Sequence, residues 1–181
     1  MKVVLLGGNH KLNKEWVDEI AQSVGDLFEQ AVVQNFYHWS QEHGMIDLDK
    51  EADQLEKIVE GWDEYIVFAK SAGTLVTLKC LHEGRISPGK LIFVGLPYEW
   101  GKEKGWDVDA YLKSLKIKTL FIQKPHDWAM AYSALETLLT EKVGANYETL
   151  EYKREGEPDD DHHYADIAYL KSLIQEYINE G

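Results

Sequence analysis

Short runs of consecutive apolar residues alternate along this chain with longer stretches in which apolar side chains recur every three or four positions. A brief unbroken run of Val, Ile, Leu and Phe fits a strand covered on both faces, whereas the longer period gives a helix a single apolar stripe. Strands are therefore expected at 2–6, 31–37, 65–69, 90–95, 118–123 and 146–152, and helices at 13–24, 49–60, 72–82, 128–143 and 164–179. In the last helix Ile167, Leu170, Leu173, Ile174 and Tyr177 form the inward stripe. The mixture of Tyr147, Thr149 and Glu151 with the apolar neighbours Leu150 and Tyr152 marks the last strand as an edge. Strands alternating with helices predict an α/β protein, a three-layer α/β/α sandwich around a mostly parallel six-stranded sheet. Residues 96–117 form a longer excursion with a short helix at 107–115, and a small lid is expected there. No repeat, low-complexity linker or Pro/Ser-rich hinge divides the chain, so residues 1–181 read as one domain.

Composition narrows the function classes. A 44% hydrophobic content over 181 residues is enough for a sizeable core. The formal net charge of −13 and a pI near 4.9 disfavour nucleic acid and anionic membranes as partners, because such surfaces repel an acidic protein. The apolar run after Met1 is too short for a signal peptide, and nowhere do about 18 apolar residues run together. A soluble, cytoplasmic protein is expected. The lone Cys80 lies in an apolar helical stretch and reads as a core residue.

The candidate chemistry begins at Tyr65-Ile66-Val67-Phe68-Ala69-Lys70-Ser71-Ala72-Gly73-Thr74, where a buried strand pattern ends in small-x-Ser-x-Gly before a helix. A serine exposed on a tight strand-to-helix turn needs small residues two positions to either side, and Ala69 and Gly73 supply them. Read alone, the same residues make a strand, a turn and a helix capped by a serine. A nucleophilic serine also needs a base and a carboxylate that orients it. Asp127 follows the fifth strand in Lys124-Pro125-His126-Asp127-Trp128, and His162 follows the sixth in Asp161-His162-His163-Tyr164. Carboxyl ends of parallel strands share one edge of a sheet, so the three groups can converge. His162 is favoured over the alternative base His163 by the Asp-His pattern. His10, His38, His43, His82 and His126 lack such partners and read as surface or loop histidines. No paired ligand spacing on one element supports a metal site.

An acyl transfer also needs N–H donors for the oxyanion, expected from Ala72 and from the loop Gly7-Gly8-Asn9-His10, with Asn9 favoured and His10 second. That loop lacks both a G-x-G-x-x-G fingerprint and a following G-K-[ST], which disfavours nucleotide binding. Trp39, Tyr98, Trp100 and Trp128 follow strands and are candidate pocket residues together with His10, implying an apolar acyl or aryl group. The acidic balance of the chain disfavours strongly anionic substrates unless the field at the pocket differs.

At Gly7-Gly8-Asn9, Ala69-Lys70-Ser71-Ala72-Gly73, Leu120-Phe121-Ile122…Asp127 and Asp161-His162-His163-Tyr164, over nearly its full length, the chain resembles the small single-domain serine hydrolases of the α/β-hydrolase superfamily. The order Ser71, Asp127, His162 is the order found in that architecture. The resemblance implies a minimal α/β-hydrolase fold without the antiparallel first pair of strands. It also implies a cofactor-free esterase, thioesterase or peptidase-like reaction on a small-molecule substrate. The chain departs from the pattern with Ala69 for the first elbow glycine and Lys70 where His, Tyr or Gln is often found. The alternatives are a non-catalytic module of the same fold that binds a small molecule or a protein, and, behind it, a flavodoxin-like or phosphate-binding doubly wound protein.

Overall fold

The computed structural model describes residues 1–41 and 44–180; His43 lies outside the described residues. Six strands, β1 (Lys2–Leu6), β2 (Gln30–Val33), β3 (Tyr65–Lys70), β4 (Lys90–Val94), β5 (Thr119–Gln123) and β6 (Tyr147–Glu151), form one sheet in the order β2-β1-β3-β4-β5-β6. All five pairings are parallel. The chain winds one way from β1 to β2 and the other way from β3 onward. The loops after β1 and β3 therefore leave the sheet on either side of a crevice, the topological switch point where open α/β sheets bind ligands.

Side-chain alternation along the central strands builds two cores. Val4, Leu6, Val67 and Ala69 face α2 (Leu48–Val59), α3 (Ala72–His82) and α6 (Tyr132–Lys142), while Val3, Leu5, Ile66 and Phe68 face α1 (Asn13–Val24) and α7 (Ile167–Asn179). The excursion 96–117 forms α4 (Tyr98–Glu103) and α5 (Val108–Lys113), with Val108 and Leu112 buried in the same core as α3. Cys80 is buried there too; burial pushes its thiol up to about 12, so it is an inert core group.

Three boundaries differ from the periodicity, each for a polar reason. β2 ends at Val33, not residue 37, because the buried Gln34 donates from Nε2 to the Glu51 backbone oxygen (2.9 Å) and carboxylate (3.0 Å). The chain then leaves the sheet for a 3-10 turn at Tyr37–Ser40. Helix α6 starts at Tyr132 because residues 128–131 are held as a loop: Ala129 N donates to Asp127 Oδ1 (2.8 Å) and Gln123 Nε2 to the Met130 carbonyl (2.6 Å). Helix α7 starts at Ile167, with Asp166 as its N-cap accepting from Tyr169 N (2.9 Å).

Candidate active site

Ser71 joins β3 to α3 with φ 51° and ψ −122°, a backbone conformation that costs a non-glycine residue of order 1–3 kcal/mol. The surroundings hold it there. Ser71 N donates to the Val94 carbonyl (2.9 Å), Gly73 N to the Gly7 carbonyl (3.0 Å), and Thr74 Oγ1 to the Ser71 carbonyl (2.7 Å). A Cβ on Gly73 would lie 2.7 Å from Leu6 Cβ and 2.8 Å from the Gly7 oxygen, so only glycine lets α3 pack this closely on the first loop. Ala69 is fully buried, and its methyl is accommodated.

Asp127 and His162 meet at the carboxyl end of β5. His162 Nδ1 lies 2.8 Å and 2.9 Å from the two Asp127 oxygens, and Asp127 is buried. The carboxylate also accepts from Ala129 N at 2.8 Å and from Tyr164 Oη at 2.7 Å. Burial and the Asp127 charge hold the Tyr164 phenol well above its ordinary value, so it stays a donor. A carboxylate can only accept, which puts the His162 proton on Nδ1 and leaves Nε2 as the free lone pair. Nε2 is buried and has no hydrogen-bond partner among the described residues. No hydrogen bond joins it to Ser71 Oγ, although both residues line one cavity of about 450 Å³.

Two features unseen in the sequence fix the imidazole. Gly95, with φ 65°, has His162 Cε1 2.7 Å from where a Cβ would stand. Buried Lys124 ties down the loop before His162, donating from Nζ to the Pro158 carbonyl (2.7 Å) and Asp161 Oδ1 (2.6 Å). Burial raises the Asp161 carboxyl, but the Lys124 ammonium and the His163 N–H (3.0 Å) outweigh it and leave Asp161 below the usual carboxylate value. His163 lines the cavity without reaching Asp127.

On the opposite wall the Asn9 side chain is turned away from an oxyanion role: Oδ1 accepts from Ile46 N (3.0 Å) and Nδ2 contacts Met45 Sδ (3.7 Å). Its carbonyl accepts from His38 Nε2 at 2.6 Å. What remains of Asn9 is its backbone N–H, which, like that of Ala72, makes no hydrogen bond among the described residues. His38 is thus buried under the loop and not a surface histidine. Its Nδ1 lies 4.0 Å from Glu51, whose carboxyl is raised by burial.

Trp100, Trp128, Pro97 and His10 line the cavity, with Trp128 72% exposed at its mouth and its ring 5.2 Å from that of His162. Trp39 and Tyr98, also expected there, do not line it. The Trp39 indole donates to the Gly8 carbonyl (3.2 Å) beneath the loop, and the Tyr98 hydroxyl donates to Asp109 (2.8 Å) between α4 and α5. Asn13, Lys70 and Asp161 line the cavity unforeseen. In the sequence Asn13 marks only the start of a helix. Among the described residues no group of three or more His, Cys, Asp or Glu side chains is arranged to hold a metal ion, and no helix is long and apolar enough to cross a membrane.

No protein-family model and no curated protein matches the sequence. Solved structures do match its architecture. The structure of ferulic acid bound to Est1E from Butyrivibrio proteoclasticus superposes with a TM-score of 0.73 at 11% identity, covering 99% of this chain and 88% of that one. The Pyrococcus furiosus esterase Pf2001 gives 0.72 at 15% identity, covering 98% and 79%. Proline iminopeptidase from Mycobacterium smegmatis gives 0.73 at 9% identity, covering 99% and 89%. The six-stranded parallel sheet with its flanking helices is the α/β-hydrolase fold.

Proposed function

We propose that the protein is a serine hydrolase that cleaves a carboxylic ester or thioester with a small, largely apolar acyl or aryl portion. The observation that carries this reading is the buried Asp127–His162 pair: His162, its Nε2 unpartnered among the described residues, lines the same cavity as the strained Ser71. In the proposed reaction Ser71 Oγ attacks the carbonyl carbon as His162 Nε2 takes its proton, and Asp127 stabilises the imidazolium through Nδ1. The negative oxygen of the tetrahedral intermediate receives the N–H groups of Ala72 and Asn9. Collapse expels the alcohol or thiol, protonated by His162, and leaves an acyl-Ser71 that water hydrolyses by the same steps in reverse order. In the proposed reaction the Ser71–His162 hydrogen bond forms as substrate binds, a tightening common in such sites.

The open Ser71–His162 contact equally suits a non-catalytic module of this fold, and one experiment separates the two. Treatment with a fluorophosphonate probe should give a single adduct on Ser71 by mass spectrometry, absent from Ser71→Ala, with esterase kcat reduced in that variant by about 10³-fold or more. Well-folded protein that takes up no probe would overturn the hydrolase in favour of the binding module.

A further inference from the structure

The cavity wall holds a cation that the proposed reaction does not use. Lys70, the residue before Ser71, is 4% exposed and lines the cavity. Its Nζ donates to Asn13 Oδ1 at 2.7 Å and sits 4.9 Å from the centroid of the Trp16 ring. An ammonium carries three N–H donors, so two find no acceptor among the described residues. The carboxylates whose charge reaches it, Asp127 and Asp161, form no ion pair with it among the described residues: Asp127 accepts from His162, Ala129 N and Tyr164, and Asp161 Oδ1 accepts from Lys124 and His163 N. Burial lowers Lys70 to about 8, which still leaves it charged at neutral pH. A buried ammonium with no ion-pair partner, opening onto a ligand cavity, is a half-built ion pair.

We propose that Lys70 is the anchor for a carboxylate carried by the substrate, so that the enzyme acts on half-esters or half-thioesters whose other end is a free acid. The proposal rests on the hydrolase reading and names its substrate class. Lys70 and Ser71 line one cavity, so one small molecule can reach both the anchor and the attack point. A carboxylate fits better than a phosphate dianion: one ammonium with two spare donors matches one charge, and the nearby Asp161 carboxylate opposes a second. The apolar body of the acid then lies along Pro97, Trp100 and Trp128. The local cation thereby overrides, for a single charge, the repulsion expected from the acidic chain as a whole.

The test uses the full chain with Ser71→Ala, which binds esters without turning them over, and two probes: mono(4-nitrophenyl) glutarate and its neutral methyl ester. Calorimetry should show the monoanion binding about 10-fold or more tightly than the methyl ester, as a charge-assisted hydrogen bond requires. In Ser71→Ala/Lys70→Met, and again in Ser71→Ala/Lys70→Gln, the two probes should bind within about 2-fold of each other. Equal affinities in Ser71→Ala, a preference that survives both Lys70 substitutions, or no binding of either probe would each overturn the proposal. The Ser71→Ala comparison leaves Lys70 in place, so it stands even if the Lys70 variants misfold. The hydrolase reading is judged separately, by the fluorophosphonate adduct on the unsubstituted chain.

Discussion

A single hydrogen atom where other residues carry a methyl group decides how His162 stands. Gly95 is needed twice over, for its φ of 65° and because a Cβ would press on His162 Cε1 at 2.7 Å. Gly95→Ala should lower esterase kcat by about 10-fold or more and destabilise the fold by about 1–2 kcal/mol, read from initial rates and urea unfolding. Unchanged kcat would mean that His162 does not need its present orientation. At this scale the sequence singled out Ser71, Asp127 and His162 as candidates, because a tight turn demands small flanking residues and a proposed triad demands partners after later strands. Gly95, Asn13, Lys70 and His38 were hidden. Each acts through contacts between elements far apart in the chain, and nothing within a few residues of Gly95 or His38 signals which ring or carbonyl it will meet.

Between elements, the proposed oxyanion donor depends on the short turn after β2. Gln34 and Tyr37 N bind Glu51 on α2, which presents His38 Nε2 to the Asn9 carbonyl and so fixes the peptide plane of the loop after β1. His38 acts through Asn9, as a positioning residue. His38→Phe should reduce kcat by about 10-fold while KM stays within about 2-fold, and His38→Gln, which keeps an N–H donor, should recover part of the loss. A rise in KM with kcat intact would instead place His38 in ground-state binding. The strands of the sheet were legible from their apolar runs, and α1 and α3 from their period. The end of β2 and the starts of α6 and α7 were not, since Gln34 turns to Glu51 on α2, Asp127 and Gln123 hold the backbone at Ala129 and Met130 as a loop, and Asp166 caps α7 at Tyr169 N.

For the whole molecule, Lys70 is a cost carried by the folded state. The unfolded chain holds the lysine proton up to its ordinary 10.5, the folded chain only to about 8. Between those values the unfolded state binds more protons, so this group makes stability rise as pH rises. Lys70→Met should therefore stabilise the protein at pH 7 by about 1–3 kcal/mol, with the gain fading between pH 8 and 10.5, measured by chemical denaturation across that range. A variant less stable than the parent at pH 7 would mean that Asn13 and Trp16 more than repay the burial. If the gain is seen, the chain keeps at its cavity a charge that folding alone would discard.

Ser71, Asp127 and the other groups that line or brace the cavity follow the carboxyl ends of strands, while the turns at Gly61, Gly84 and Gly144 lie before β3, β4 and β6, on the opposite rim. Those glycines have open space where a Cβ would stand. The sheet thus gives the protein a working end and a handling end. A tether, label or affinity peptide spliced into the far turns would hang from the molecule like a grip, with the cavity mouth and Trp128 still facing the solution.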